Sequence, residues 1–398
     1  MPIFVCAGPN DTVRLGIDVV IADDFATLRG KRVGLITNPT GVTSDLRATA
    51  DVLHAAPQVE LIALFGPEHG VRGDVPAGEH IQDGKDAATG LPTYSLYGKT
   101  RKPTREMLHG LDALVFDIQD IGARSYTYVS TMAVSMQAAA EHDVEFIVLD
   151  RPNPLGGNRM EGATWEPEFQ SFVSYLPVPY VHGMTVGELA KLINDDARLM
   201  PQGKCKLTVV PMQGWQRNML WRDTGLQWVP TSPHVPHADS AMFYAATGIM
   251  GELHVLSEGV GVPVPFELAG FPGADAAAMA AALNRRELPG VIFRPTYFKP
   301  FYGSFEKKDC GGVQVHLVDP HAAHLTGIQF HVLDVVRTLQ PDLALFGNKR
   351  DNMFDKVCGT QRIREAFEAG KSATDVLAIW DEGIDAFREK RKSYLLYE

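Results

Sequence analysis

The chain has 398 residues, 45% of them hydrophobic and 21% charged, with a formal net charge of −11. This length suggests two or three domains with ample apolar material for buried cores. The acidic balance repels phosphate backbones and argues against a nucleic-acid partner, and no apolar run approaches the ~18 residues that suggest a membrane span. The N-terminal stretch MPIFVCAGPNDTVRLGID lacks a basic segment followed by a long apolar one. The expectation is therefore a cytoplasmic protein, or a periplasmic or secreted one if a leader has been removed. Cys6, Cys205, Cys310 and Cys358 are far apart, show no C-x-x-C spacing and read as free thiols. No H-E-x-x-H pattern occurs, and Pro236 opposes a helix between His234 and His237. No metal and no other cofactor is expected.

In chain order, 32–37 (RVGLIT) reads as a buried strand and 44–55 as a helix with Ser44 at its N-cap. Strands follow at 59–65 (VELIALF), 113–117 (ALVFD) and 144–150 (VEFIVLD), alternating with helices at about 128–142 and 185–199. Strands apolar on both faces, alternating with helices, argue for a mostly parallel sheet covered on both sides. Pro, Trp and His then cluster around 215–237. Beyond them the pattern predicts a helix at 240–250, a strand at 262–268, a helix at 274–286, strands at 291–295 and 312–318, and C-terminal helices. The fold class expected is α/β: a Rossmann-like domain over 1–225 followed by a smaller α+β auxiliary domain over 226–398.

Each early strand runs into a polar turn: Asn38-Pro39-Thr40-Gly41, Pro67-Glu68-His69-Gly70, Ile118-Gln119-Asp120 and Arg151-Pro152-Asn153. Open α/β sheets bind ligands outside the carboxyl ends of their strands, so candidate chemistry converges on one edge. Glu68, if partly buried, has the raised pKa of a general acid; the plainer alternative is a loop carboxylate paired with His69 or Arg72. Asp117 and Asp120 can orient a hydroxyl or an amide, and Arg124 can hold a carboxylate, or these groups form an ion pair at the next helix. Arg151 and Asn153 form a second polar turn, followed by Glu161. Glu252, Ser257, Glu258 and Glu267 lie in the second half, where an acid between Ser and Gly also suits a turn. Trp215, Trp221 and Trp228 suit sugar stacking or packing. There is no nucleotide-binding glycine motif and no G-x-S-x-G elbow.

Taken together, the ordered motifs GLITNPTGV, LFGPEHGVRG, DIQDIGARSYTY, LDRPNPLGG, GMTVGELA, SEGxG…PFE and CGGVQVHLVD resemble the NamZ-type (YbbC-like) exo-β-N-acetylmuramidases, long grouped as a domain of unknown function. The resemblance runs from about residue 15 almost to the C-terminus. It implies a cleft between the two domains and release of terminal β-linked N-acetylmuramic acid from the non-reducing ends of peptidoglycan fragments. It carries the general acid to Glu68 and offers Glu161, Asp117 and Asp120 as further catalytic groups. Asn38, His69, Arg72, Arg124, Tyr126, Arg151, Asn153 and Glu258 become substrate-binding candidates. One departure stands out: Val260 and Val264 occupy positions where the family usually has Arg, and Val255 one where it usually has Asn. Competing readings are a same-fold exo-glycosidase for another amino sugar, with Lys299 as a relocated cation, and a catalytically silent sugar-binding protein. Retaining, inverting and substrate-assisted mechanisms are all compatible with this pattern.

Overall fold

The computed structural model describes residues 12–68, 70–73 and 83–398. The first half contains α1 (Gly16–Ala22), β1 (Arg32–Thr37), α2 (Thr49–Ala55), β2 (Glu60–Gly66), β3 (Gly84–Lys85) and β4 (Pro92–Ser95). It continues with β5 (Ala113–Asp117), α3 (Tyr128–Glu141), β6 (Glu145–Leu149), α4 (Val186–Asp195) and β7 (Leu207–Val210). The strands form one seven-stranded sheet in the order β3-β4-β2-β1-β5-β6-β7. Every pairing is parallel except β3 with β4. The order turns around at β1, which pairs with both β2 and β5, so the crevice at the carboxyl ends of these strands is the switch point.

Side chains alternate across the sheet because strand residues point to opposite faces in turn. Val33, Leu35, Leu64, Val115, Ile147 and Leu149 pack on one face with Ile17 of α1 and Leu53 of α2. Ile36, Phe65, Leu114, Phe116, Phe146 and Val148 pack on the other with Met132 of α3 and Leu189 of α4. Both faces are dry, which is why these strands carry unbroken apolar runs. Helix α4 starts with a reciprocal cap: Glu188 N–H donates to Thr185 Oγ1 and Thr185 N–H to the Glu188 carboxylate, at 3.3 and 3.1 Å.

The second half contains α5 (Ser240–Gly251), β8 (Leu268–Phe271), α6 (Ala276–Asn284), β9 (Val291–Phe298), β10 (Cys310–Leu317) and α7 (Leu325–Leu339). Four shorter helices follow: α8 (Asp351–Cys358), α9 (Arg362–Glu368), α10 (Ala373–Trp380) and α11 (Ile384–Arg391). Its sheet is antiparallel, in the order β8-β10-β9. Two local expectations are corrected. The early helix begins at Thr49 rather than Ser44, whose N–H donates instead to Asp18. Residues 262–267 are turn, and the strand begins at Leu268. Pro263 and Pro265 lack the N–H that a sheet ladder requires.

The halves share a core. Ile121, Ala123, Leu155, Tyr180 and Val181 pack into the same cluster as α5 and α7. Glu161 fastens this seam. Its carboxylate accepts from Leu325 N–H (3.1 Å), Thr326 N–H (2.7 Å) and Thr326 Oγ1–H (3.0 Å) at the start of α7, and from Arg159 (2.6 Å). The chain end also returns to the first half: Tyr397 donates to Asp150 (2.5 Å), and Arg391 to Gly157 and Gly183 carbonyls (2.8 and 2.7 Å).

Removing the Glu161 carboxylate strands buried N–H groups and Arg159 together. Glu161→Ala is expected to cost about 3–5 kcal/mol, with Glu161→Gln milder. Urea unfolding checks this; a loss below about 1 kcal/mol would mean the seam does not depend on the cap.

Candidate active site

The polar turns after β1, β2 and β5 meet at the switch point. Glu68 follows β2 by two residues and is half-buried. It hydrogen-bonds Tyr97, whose phenol is pushed up by burial first and then by the Glu68 charge. Tyr128, at the start of α3, also feels Glu68, hydrogen-bonds Asn38, and donates to the Thr231 carbonyl at 2.6 Å. Asn38 is held in a tight turn, its Oδ1 accepting from Thr40 N–H at 3.0 Å and from the Thr40 hydroxyl at 2.5 Å. Tyr126 donates to Thr231 Oγ1 at 2.7 Å and stands edge-on to Tyr128 and Tyr244, with centroids 5.1 and 5.7 Å apart.

Asp120 is the acid most exposed to desolvation at this site. It is buried, Oδ2 accepts from Gly122 N–H at 2.7 Å, and Oδ1 meets no hydrogen-bond partner among the described residues. Burial pushes its carboxyl up to about 7, against the pull of the Gly122 and Ile121 amides. Gly122 has φ +82°, and a Cβ there would lie 2.3 Å from Asn153 Oδ1, so this turn admits only glycine. His182 Nε2 lies 3.8 Å from Asp120, outside hydrogen-bond range. Burial, with the Arg391 and Arg124 charges, holds the imidazole down at about 3. It is therefore neutral at pH 7, and because Nδ1 accepts from Met184 N–H, its proton sits on Nε2.

Across from this edge, α5 and the loop after it contribute a second set. Ser125 Oγ lies 3.0 Å from the hydroxyls of both Tyr180 and Tyr244. Tyr244 feels the charges of Glu252 and Asp120. Glu258 is pushed up to about 7 by burial, aided by Glu252, and its Oε2 has no partner among the described residues. Asp120 from the first half and Glu252 from the second thus both act on Tyr244, and Glu258 lies beside Glu252.

Several expected site residues are otherwise engaged. Asp117 and Arg151 form a buried bidentate pair at 2.6 and 3.0 Å, and Thr49 donates to the same carboxylate at 2.5 Å. Arg124 is fully buried and donates to the carbonyls of Ala163, Val178 and Cys358 at 2.7 Å and of Val357 at 3.2 Å. It is a bracket between chain segments, with its Nε left unpartnered among the described residues. Arg72 pairs with Asp86 and Asp51 at 2.8 and 2.7 Å. Asn153 spans Met184 O (3.0 Å) and Leu155 N–H (2.9 Å). Glu161 is consumed in the α7 cap and lines a different hollow, of about 410 Å³, with Arg159 and His324. His69, like Cys6, falls outside the described residues. Lys299 is exposed and paired with Asp309 at 2.9 Å. Val260 packs against the second-half core.

Among the described residues no group of three His, Cys, Asp or Glu side chains could hold a metal ion. His234 and His237 diverge, toward Tyr302 and toward Ser240 and Glu267. Tyr97, Tyr244 and His182 were not singled out from sequence. Tyr97 stands two residues past the carboxyl end of β4, a strand too short to read from the sequence, and Tyr244 and His182 lie in segments away from the strand-end turns.

Fold and site together define a doubly wound α/β protein whose acids gather at the sheet's carboxyl edge beside a second, smaller sheet. Residues 33–239 match the family model for the N-terminal domain of the exo-β-N-acetylmuramidase NamZ, and 242–397 the model for its C-terminal domain. The chain belongs to the NamZ family. It is 43% identical over 385 residues to the peptidoglycan β-N-acetylmuramidase NamZ of Bacillus subtilis (strain 168), covering 97% of this chain and 91% of that protein. Two crystal structures of DUF1343 family proteins from Bacteroides fragilis are similar. One has 51% identity and a TM-score of 0.93, covering 98% of this chain and 100% of that chain. The other has 29% identity and a TM-score of 0.77, covering 97% and 99%.

The Asp120 shift makes stability depend on pH. Its pKa rises from 3.8 to about 7 on folding, so between these values the native state holds a proton that the unfolded chain has lost. Stability then falls as pH rises through this window. Glu258 and Asp150, raised to about 7 and about 6, add to the same slope. Asp120→Asn, which cannot ionise, should flatten it. The melting temperature of the variant is expected to exceed wild type at pH 8 and not at pH 4. An equal shift at both pH values would show that folding does not raise the Asp120 pKa.

Proposed function

We propose that this chain is a glycoside hydrolase that releases terminal β-linked N-acetylmuramic acid from the non-reducing ends of peptidoglycan fragments. The observation that carries the reading is the pair of carboxyls at the switch point. Glu68 is half-buried against Tyr97, and Asp120 is buried with one oxygen unpartnered, while Asp117 and Glu161 are locked in structural bonds. The kinship with the Bacillus subtilis muramidase supports the choice of sugar.

In this reading Glu68 is the general acid. It gives its proton to the glycosidic oxygen as the C1–O bond breaks, so that the leaving sugar departs as an alcohol. Asp120 is the second carboxyl. Below about pH 7 it carries a proton and can donate a hydrogen bond; above, it can accept one from a water or from the sugar's 2-acetamido N–H. The cluster of Tyr126, Tyr128 and Tyr244 gives the sugar apolar faces and hydroxyl partners. The anomeric form of the sugar first released separates inversion from the two retaining routes.

Glu68→Gln is the direct test. A general acid contributes about 10²- to 10⁴-fold, and an activated aryl leaving group needs little protonation. The variant should lose kcat/KM on a muramic-acid-terminated disaccharide far more than on an aryl N-acetylmuraminide. Equal, small losses on both would remove Glu68 from the role.

A further inference from the structure

The turn between β9 and β10 carries large rings on its surface: Phe301 is 75% exposed and Tyr302 50%. Scattered single hydrophobics are ordinary on a protein surface, but two adjacent exposed rings held in a fixed turn need a reason. The turn is pinned. Phe301 N–H donates to Gly261 O at 2.8 Å, and Lys307 N–H to Pro300 O at 2.8 Å. Gly261 has φ +94°, and a Cβ there would come within 2.1 Å of the Tyr302 carbonyl oxygen, so the two backbones are in direct contact. Phe305 and Lys307 both hold φ near +60°, a costly conformation for bulky side chains that the surrounding contacts maintain.

The turn also continues one wall of the site. Tyr128, beside Glu68, donates to the carbonyl of Thr231, whose hydroxyl accepts from Tyr126. One residue on, Ser232 Oγ accepts from His234 N–H at 3.3 Å. The His234 ring lies at 28° to that of Tyr302, with centroids 5.8 Å apart and Nε2 3.0 Å from the Tyr302 hydroxyl. On the other side the turn rests on the segment after Glu258. Contacts therefore run from the acid through Tyr128, the 231–234 segment and His234 to an exposed aromatic surface.

From this arrangement we infer that Phe301 and Tyr302 form the platform for the amino sugar on the leaving side of the scissile bond. This rests on the muramidase reading and adds to it a binding site for the outgoing chain. An exo-acting site encloses one terminal sugar, so the remainder must leave across whatever flanks the opening. The C–H face of a pyranose is apolar with slightly positive hydrogens, and it complements the negative face of an aromatic ring. A turn whose backbone is already fixed loses little backbone freedom when a ligand binds to it.

The test compares two substrates in the full-length protein. One is an aryl N-acetylmuraminide, which has no second sugar; the other is a muramic-acid-terminated tetrasaccharide. Tyr302→Ala and Phe301→Ala are expected to lower kcat/KM on the tetrasaccharide about 5- to 10-fold, the tenfold end being about 1.4 kcal/mol, and on the aryl glycoside about twofold or less. Tyr302→Phe keeps the ring and should stay near wild type on both. Equal losses on the two substrates, or no loss on either, overturn the platform while the muramidase reading stands. If wild type releases muramic acid from neither substrate, that reading fails and the platform falls with it.

Discussion

The buried ion pair between Asp117 and Arg151 sets the geometry on which the site depends. It joins the carboxyl end of β5 to the turn after β6, and Thr49 and the Val42 carbonyl bring the start of α2 and its preceding loop to the same point. Taking both charges out of water costs several kcal/mol per ion, so the pair is weak evidence for net stability. Its contribution is positional. Both carboxylate oxygens accept from the guanidinium, which fixes the switch-point crevice, and Asp120 three residues later enters it at a defined place.

The same economy of cations recurs at the seam between the two halves. Arg124 gathers backbone carbonyls from both, and Arg217 holds Glu188 (2.7 Å) together with the Gly157 and Gly183 carbonyls (2.8 and 2.5 Å). The returning chain end adds Leu396 N–H to that same Glu188 at 2.9 Å. These guanidiniums satisfy carbonyls that irregular turns leave without secondary-structure partners. The consequence for function is that Asp120 on one side and Glu252 on the other, with Glu258 beside it, reach Tyr244 across the seam. Asp120 and Glu258 are raised by the same cause, burial without a nearby cation.

Much of this was legible in the sequence. The alternation of doubly apolar strands with helices determined a parallel sheet with two covered faces, and the turns after the strands placed Asn38, Glu68, Asp117, Asp120 and Arg151 on one edge. The ordered motifs carried the family. These follow from chain-local rules: strand side chains alternate, parallel strands need crossovers, and carboxyl ends collect at one edge. Residue type could not say which charged groups were free. Asp117 and Asp120 lie three apart in one motif, yet one is satisfied by Arg151 and Thr49 while the other is left with an unpartnered oxygen. Arg124 looks like a binding residue and Glu161 like a catalytic one in sequence, and both act as braces in space. That distinction depends on partners far along the chain, Cys358 for Arg124 and Thr326 for Glu161, 234 and 165 positions away. Tyr97, Tyr244, His182 and the Phe301–Tyr302 turn join the picture for the same reason. A hydrogen-bond partner or a buried face is a property of the assembled packing, and no spacing along the chain encodes it.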